Sequence, residues 1–206
     1  FHRLSGQGKR VIAVAVKELS SHKICSEKDE RGLMLIGYLV FSDPVKVTAK
    51  KAVRELQHLN LGLKILSGDD PLVVLHICQE VGLPSEKGVL TGEEWEKLSV
   101  KSKQKAVQEY SLFARLNPEQ KKEIVDELGK LGHVVGFLGD GINDAPALKA
   151  AEVGISVDSG AGVAKEAADI ILLKKSLEVL TKGVIEGRRI FGNATKYIMN
   201  TVSANY

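Results

Sequence analysis

The sequence predicts an α/β fold, a mostly parallel sheet flanked by helices, with a smaller β-rich segment at the start of the chain. Short apolar runs alternate with helix-like segments from residue 45 to residue 173, which is typical of βαβ units. The run 133–138 is largely apolar, as expected of a strand buried on both faces. Polar residues and glycines follow several of these runs, at the edge where open α/β sheets place ligands.

The first part of the chain is predicted to be a pair of strands. Two β-rich runs, 11–16 and 33–41, are separated by the polar and charged segment 20–31, a loop or hairpin connection. Asp43 and Pro44 come next. Proline fixes its own φ and disfavours the helical region for the residue before it. We therefore expect a domain boundary near residues 40–44.

Strands and helices alternate after that boundary. The first helix carries apolar residues at helical spacing from Val45 to Leu59. A second helix begins after Asp69 with Pro71 in its first turn, and a later one begins at Pro118 with Asn117 as its cap. Strands are predicted at 63–66, 89–90, 112–114, 133–138, 153–156 and 170–173, and helices at 45–59, 70–81, 93–110, 118–131, 145–152, 161–168 and 177–200.

Composition limits the classes of function. The chain has 206 residues, 44% of them hydrophobic, and a formal net charge of +3. Its charges are mixed without a basic block, so we expect no nucleic-acid partner. Cys25 and Cys78 fit no metal or redox spacing, and no run of about 18 apolar residues predicts a membrane span. The chain begins without Met and stops inside an apparent helix, so we expect a piece of a longer protein.

The strongest chemical signal is a turn rich in glycine and aspartate that follows the predicted strand ending at residue 138. Asp140 and Asp144 lie on this turn together with Asn143. Carboxylates are hard oxygen ligands suited to Mg²⁺. Gly139 and Gly141 let the backbone approach other groups closely. The turn therefore predicts a metal held beside a phosphoryl group.

Two weaker signals lie at other strand exits. Ser67 and Gly68 follow a strand and open a helix, where a hydroxyl and an N–H group can bind an anion. The alternative for Ser67 is a plain helix cap. Lys121 lies one turn into a helix and could place a positive charge on a phosphate, or be a solvated lysine. Successive exits of one sheet bring Ser67, Lys121 and Asp140 to one crevice, which favours the functional interpretation.

Together these motifs resemble the P-type ATPases, which belong to the haloacid-dehalogenase-like superfamily. The resemblance covers almost the whole chain, and the motifs occur in the family's order and at similar spacing. The motifs are 41–44 (FSDP), 66–69 (LSGD), 113–121 (FARLNPEQK), 139–148 (GDGINDAPAL), 164–169 (AKEAAD) and 186–189 (EGRR). The resemblance implies a Rossmann-like phosphorylation domain, ATP as substrate and Mg²⁺ as cofactor.

The resemblance also implies roles for individual residues. Asp140 would ligate Mg²⁺, and Asp144 would support that site. Asp43 would belong to the hinge beside the phosphorylation site. The residues implied to contact the phosphoryl group are Asn143, Lys121, Ser67 and Gly68, with Ser67 standing where many relatives carry Thr. Those implied to lie near the nucleotide are Asp69 and Arg115 beside the ribose and Arg10 beside the phosphates; the alternative for Arg10 is a solvated residue on a strand edge.

The sequence departs from the family pattern in one respect that affects activity. The family's nucleophile is the Asp of an Asp-Lys-Thr-Gly-Thr run, and residues 1–206 contain no such run. We therefore expect the nucleophile and the first strand of the sheet to lie outside this chain, and we expect the chain alone to be inactive. Thr91-Gly92-Glu93 resembles a catalytic motif of the family's actuator domain, but its position favours Thr91 as a helix cap.

The implied parent is a cation pump. Segments 155–158, 166–173, 184–189 and 196–198 are most similar to the magnesium-transporting branch, whereas 91–95 resembles the calcium pumps, and H⁺ also stays open. The implied domains are residues 1–40, the end of a nucleotide-binding domain; 41–180, the phosphorylation domain; and 181–206, a stalk helix towards the membrane or an ordinary packing helix.

The implied partners are ATP, the cation, and the rest of the nucleotide-binding domain, the actuator and the membrane domain. We expect a cytosolic portion of an integral cell-membrane protein of a prokaryote. The alternatives are a soluble phosphatase of the same superfamily and a non-catalytic interaction module.

Overall fold

The computed structural model describes residues 2–18, 26, 30–42 and 44–204. A short helix, α1 (His2–Ser5), precedes an antiparallel pair of strands, β1 (Lys9–Val16) and β2 (Met34–Ser42). Lys9 lies opposite Ser42, and a bulge interrupts the register after Val14. This confirms the two predicted strands. The connection predicted at 20–31 lies mostly outside the described residues, and so does Asp43.

The remaining elements alternate as predicted. Their bounds are α2 (Val47–His58), β3 (Ile65–Leu66), α3 (Pro71–Val81), β4 (Val89–Thr91), α4 (Gly92–Glu96), α5 (Val100–Glu109), β5 (Leu112–Ala114), α6 (Pro118–Lys130), β6 (Gly136–Leu138), a 3₁₀ turn (Ile142–Asp144), α7 (Ala145–Ala150), β7 (Val153–Val157), α8 (Gly162–Ala167), β8 (Ile170–Leu172) and α9 (Leu177–Ala204).

The parallel strands form two three-stranded sheets. Their orders are β3-β5-β4 and β6-β7-β8, and every pairing in them is parallel. Among the described residues, β3 and β6 each pair on one side only and so form a free edge of their sheets. The predicted mostly parallel α/β fold is thus confirmed, as two half-sheets with open inner edges.

Apolar packing joins the two half-sheets. Leu66 of β3 packs against the buried cluster around Phe113 of its own sheet and also against the cluster around Phe137 of the other sheet. A third cluster lies around Val74 and Cys78 of α3 and includes Leu177, the first residue of α9. Helices α2, α3, α5, α6 and α7 therefore cover sheets that share a continuous set of apolar contacts.

The long helix α9 has a packed first half and an exposed second half. Its 28 residues give a length of about 42 Å. The first half packs on α2, where Thr181 is buried and Arg188 donates a hydrogen bond of 2.7 Å to the carbonyl of Leu59. The second half is exposed, and Phe191 and Tyr197 keep 74% and 73% of their surface open. No helix in the described part of the chain is both long and apolar enough to cross a membrane.

Three predicted boundaries were wrong for local reasons. The helix predicted at 93–110 breaks in two because Ser99 accepts the N–H of Ser102 and starts α5. The strand predicted from residue 133 begins at Gly136, since the N–H of Val135 bonds to the Glu152 carboxylate instead of a strand. The helix predicted from residue 70 begins at Pro71, because Asp70 is its cap and the Asp70 carboxylate accepts the N–H of Leu72.

Candidate active site

The site lies at the carboxyl ends of the parallel strands. Ser67 follows β3, Arg115 follows β5 and Asp140 follows β6 shortly after its end. The N–H of Ser67 bonds to the carbonyl of Phe113 on β5, which fixes the first two exits beside each other. Sheet pairing therefore places the exits of β3 and β5 side by side, and the contact described next joins Lys121 to the aspartate turn.

Asp144 is fixed by two donors on the protein. Lys121 Nζ donates to its Oδ1 at 2.7 Å, and the N–H of Gly141 donates to its Oδ2 at 3.1 Å. The lysine and aspartate side chains are 10% and 15% exposed, so the interpretation of Lys121 as a solvated lysine is wrong. Gly139 is required here, because a Cβ at this position would lie 2.5 Å from the Cβ of Asp144. Asp144 therefore joins the turn to helix α6.

Asp140 has a more open environment. Its side chain is 46% exposed, and its carboxylate forms an ion pair with the ammonium of Lys175. The backbone carbonyl of Asp140 accepts the N–H of Ala161 at 2.9 Å, which anchors the turn to the start of α8. A cleft of about 320 Å³ opens beside Asp140 and is also lined by Lys46 and Leu138. Asp140 is thus held at its backbone while its carboxylate faces the cleft.

The loop after β3 folds around its own polar groups. The Ser67 hydroxyl accepts the N–H of Asp69 at 3.0 Å and lies 3.1 Å from the Asp69 carboxylate. Ser67 is therefore not the cap of helix α3, and that alternative was wrong. Gly68 is exposed between them. The loop leaves Gly68 accessible at the sheet edge, as an anion-binding turn requires.

Two arginines surround this loop. Arg10 of β1 forms an ion pair of 3.1 Å with Asp69, so the predicted candidates Arg10 and Asp69 lie together. Arg115 donates to Asp70 at 2.6 Å, and its N–H bonds to the carbonyl of Asp69 at 3.0 Å. Arg115 has a φ of 51°, a left-handed conformation that is uncommon for a residue with a side chain. The sequence alone did not identify Asp70 as a partner.

The left-handed residue is held by a close backbone approach. A Cβ on Gly92 would lie 2.6 Å from the carbonyl oxygen of Arg115 and 2.5 Å from the side chain of Gln120. Gln120 is buried; its amide nitrogen donates to the Gly92 carbonyl at 3.1 Å and its amide oxygen accepts the N–H of Asn117 at 3.0 Å. The reciprocal Asn117–Gln120 capping box fixes the start of α6 at Pro118, three residues before Lys121.

The Thr91 segment belongs to this support structure. Thr91 and Glu94 form a capping box at the start of α4, which confirms the prediction of a helix cap. The indole of Trp95 donates to Glu123 on α6 at 2.7 Å, and Lys103 donates to the same carboxylate at 2.8 Å. Burial raises the pKa of Glu123, but the bonds from Lys103 and Trp95 outweigh it and the pKa lies below its ordinary value. The sequence analysis did not identify the contacts of Trp95 and Lys103 with Glu123, because these residues lie 20 or more positions apart along the chain.

Two further predicted site residues, Asn143 and Asp43, take no part in the contacts described above. Asn143 is exposed in the 3₁₀ turn between Asp140 and Asp144. Asp43 lies outside the described residues. Within the described part of the chain, no group of three or more acidic, histidine or cysteine side chains forms a complete metal cage. Mg²⁺ is commonly held by one or two carboxylates with water and phosphate oxygens, and an exposed Asp140 beside a cleft fits that pattern.

Comparison with known proteins agrees with the motifs. A family model described as a haloacid dehalogenase-like hydrolase matches residues 3–152. The chain is 50% identical over 204 residues, 98% of its length, to the magnesium-transporting ATPase, P-type 1, of Escherichia coli K12, and covers 23% of that protein. It is 35% identical over 213 residues, 97% of this chain and 22% of the relative, to the endoplasmic reticulum calcium ATPase srcA of Aspergillus fumigatus. It is 40% identical over 179 residues, 84% of this chain and 20% of the relative, to the probable cation-transporting ATPase F of Mycobacterium tuberculosis. The chain thus spans about a fifth of the length of these relatives, and the resemblance inferred from the motifs is confirmed.

Proposed function

The chain belongs to the haloacid dehalogenase-like hydrolases, and we propose that it is part of the catalytic region of a P-type ATPase that transports magnesium. The observation that carries this proposal is the 50% identity to a magnesium-transporting ATPase over 98% of the chain. The geometry supports it, because the turn after β6 carries both an aspartate locked to Lys121 and the accessible Asp140. In the intact pump, ATP would phosphorylate an aspartate and hydrolysis of that acyl phosphate would drive cation transport.

The residues of this chain divide the phosphoryl-transfer work between them. Asp140 would hold Mg²⁺ together with water and phosphate oxygens, and the bound ion would supply positive charge to the transferring group. Lys121 would contact the phosphoryl oxygens from the position that its bond to Asp144 sets. Gly68 and Ser67 would orient those oxygens from the neighbouring exit, and Asn143 would contact the same group from the aspartate turn. Asp144 acts through Lys121 and is a positioning residue in this scheme.

The nucleotide would lie along the arginine side of the site. Arg10 and Arg115 bring two guanidinium groups to the loop at Asp69, close to the strand exits. Guanidinium groups recognise phosphate oxygens through paired N–H donors. We assign the ATP phosphates to Arg10 and the ribose side to Asp69 and Arg115, with Asp43 at the hinge.

The nucleophile would come from outside residues 1–206. The free edges of β3 and β6 support this, because a parallel strand between the two half-sheets would pair with both of them. A carboxylate at the end of such a strand would lie between Ser67 and Asp140. This chain alone would then neither autophosphorylate nor turn over ATP, since covalent catalysis requires that carboxylate.

The rest of the pump follows from the same assignment. Residues 1–40 would end a nucleotide-binding domain, 41–180 would form the phosphorylation domain, and 181–206 would be a stalk helix whose exposed apolar half continues towards a membrane domain. The partners would be ATP, the cation and the remaining domains of the same protein. Magnesium is preferred over calcium because identity to the magnesium-transporting relative is 50%, against 35% for the calcium-transporting one. The chain would then be a cytosolic portion of a prokaryotic membrane protein.

Labelling of the longer protein that contains this chain tests the proposal. Incubation with γ-labelled ATP should give an acid-stable, hydroxylamine-sensitive phosphoenzyme, and Asp140→Asn should reduce its formation rate by about 100-fold or more. Asp126→Asn, which removes the charge of a half-buried aspartate on α6 outside the site, is the matched control and should label normally. Normal labelling of Asp140→Asn would show that the metal-site assignment is wrong and would favour a non-catalytic module.

Two further measurements separate the alternatives. Hydrolysis of p-nitrophenyl phosphate by residues 1–206 alone would favour a soluble phosphatase, whereas we expect none. Reconstitution of the longer protein into vesicles, with a luminal magnesium indicator, tests the ion. ATP-dependent accumulation of magnesium is the expected result, and accumulation of calcium without magnesium would overturn the choice of ion.

A further inference from the structure

Lys175 contacts the carboxylate assigned to the metal, although no motif pointed to it. This lysine follows β8, whereas Asp140 follows β6, so the exits of two strands of the same sheet bring them together. The two side chains form an ion pair across 35 positions of sequence, at the mouth of the cleft of about 320 Å³. The inference drawn from this contact rests on the proposed assignment of Asp140 to Mg²⁺.

The backbone of Lys175 is held while its side chain is exposed. Its carbonyl accepts a hydrogen bond of 3.0 Å from Lys46 Nζ, and the next residue, Ser176, accepts the N–H of Glu178 at the start of α9. The Lys175 side chain is 61% exposed, in contrast to 10% for Lys121. A buried lysine paired with a buried aspartate is locked, whereas an exposed ammonium on a flexible stem exchanges readily between partners. The two lysines of the site therefore differ in mobility.

The two carboxylates of the site are balanced by these two ammonium groups. Asp144 commits one oxygen to Lys121 and the other to the N–H of Gly141. The Asp140 carboxylate has lone pairs that could bind a divalent ion, and the Lys175 ammonium donates hydrogen bonds to that same carboxylate. An ammonium and a divalent cation cannot use the same carboxylate oxygen at once, because both need its lone pairs and repel each other.

We propose that Lys175 is a placeholder cation for Asp140: its ammonium holds the carboxylate in position and competes with Mg²⁺ for it, so that this lysine lowers the affinity of the site for the metal. The competition is modest, since an exposed ion pair of this kind changes an equilibrium constant by about two- to fivefold. When the divalent ion takes Asp140, the ammonium moves into the cleft, where phosphate oxygens are the acceptors it can meet.

Metal binding by the 206-residue chain tests this directly. The dissociation constant for Mg²⁺ is measured by titration calorimetry for the original chain, Lys175→Met, Lys175→Arg and Lys174→Met. Lys175→Met should bind Mg²⁺ about two- to fivefold more tightly, and Lys175→Arg should bind like the original chain. Lys174→Met is the matched control, because it removes the same charge one residue away and Lys174 forms no ion pair found among the described residues. It should change the affinity much less.

The outcomes separate this inference from the proposed function. Equal affinities of Lys175→Met and Lys174→Met would overturn the competition while leaving Asp140 as the metal ligand. Weaker binding of inorganic phosphate by Lys175→Met, with unchanged Mg²⁺ affinity, would make Lys175 a phosphate ligand instead and would also overturn it. Asp140→Asn should abolish the Mg²⁺ isotherm, and an unchanged isotherm for that variant would reject the metal site itself. Circular dichroism before each titration establishes that every variant is folded.

Discussion

Lys121 and Asp144 form the contact on which the geometry of the site depends most. The test is a double-mutant cycle with Lys121→Met, Asp144→Asn and the double variant in the 206-residue chain. The ion pair is 2.7 Å long between side chains that are 10% and 15% exposed. Such a pair is screened less than a surface pair, so its coupling free energy should be well above that of an exposed contact.

The expected magnitude follows from the burial and from the second donor. A hydrogen bond to a charged group contributes about 1.5–3 kcal/mol, and we expect a coupling energy in that range. Lys121→Met alone leaves a shielded carboxylate with only the Gly141 N–H, which should cost about 3 kcal/mol, the lower end for a broken buried pair. For a chain of this size that loss corresponds to a fall of about 6–12 °C in the melting temperature.

Urea unfolding followed by tryptophan fluorescence measures the cycle. Trp95, the one tryptophan of the sequence, is buried and bonds to Glu123 on the helix that carries Lys121, so its emission reports on that region. The exposed pair Lys122–Asp126 on the same helix gives a matched control cycle, whose coupling should be near the limit of detection. A coupling for Lys121–Asp144 no larger than that of the control pair would refute the buried, structural role assigned to this contact.

Three other predictions concern the support structure. Gly92→Ala should destabilise the chain by about 1–3 kcal/mol, because its Cβ would meet the backbone of Arg115. Gly183→Ala, at a helical site with open space, should stabilise the chain by about 0.5–1 kcal/mol. Urea unfolding measures the two opposite signs, and equal effects would contradict the close approach of Gly92 to Arg115. The pKa of the Glu123 carboxyl lies below its ordinary value in the folded chain, so this group stabilises the fold above its ordinary pKa and loses that effect as the pH falls through the lowered value. In thermal unfolding, the stability difference between the original chain and Glu123→Gln should therefore shrink below about pH 4.5. A difference that stays constant with pH would contradict this. Cys78 is buried, and burial raises the pKa of its thiol to about 11. In a Cys25→Ser background, a thiol reagent at pH 8 should therefore react with Cys78 only as fast as the protein unfolds. Rapid labelling of the folded protein would contradict that burial.

Local chemistry explains which predictions the structure confirms. The caps at Thr91 and Asn117 depend on side chains three residues from their partners, so the sequence contains the whole interaction. The break before α5 depends on Ser99 competing with helix continuation, and the late start of β6 depends on Glu152, which lies 17 positions from the N–H it accepts. Periodicity does not record such competitors, and both boundaries were therefore wrong.

The candidate site shows the same limit at longer range. The strand exits predicted that Ser67, Lys121 and the aspartate turn converge, because parallel sheets put their carboxyl ends at one edge. The structure joins Lys121 to that turn through Asp144 and fixes Ser67 beside β5, whereas the meeting of Ser67 with the turn stays a prediction. Which carboxylate each cation contacts depends on sheet order and loop shape, and these are absent from any window of sequence. Lys175 could not be identified for this reason, since its contact with Asp140 requires β6, β7 and β8 to lie side by side.

The unequal surroundings of the two aspartates limit how the proposed site can work. Asp144 uses both oxygens on protein donors, so Asp140 is the carboxylate of the turn with lone pairs open to the cleft. One exposed carboxylate binds Mg²⁺ weakly, because this ion keeps most of its waters and gains little from a single charged ligand. Tight occupancy then requires further oxygens, from a nucleotide phosphate and from the nucleophilic carboxylate assigned to a strand outside this chain. Under the proposed function, metal and phosphate therefore bind cooperatively, and the affinity of this chain for Mg²⁺ should rise when a phosphate group fills the cleft beside Asp140.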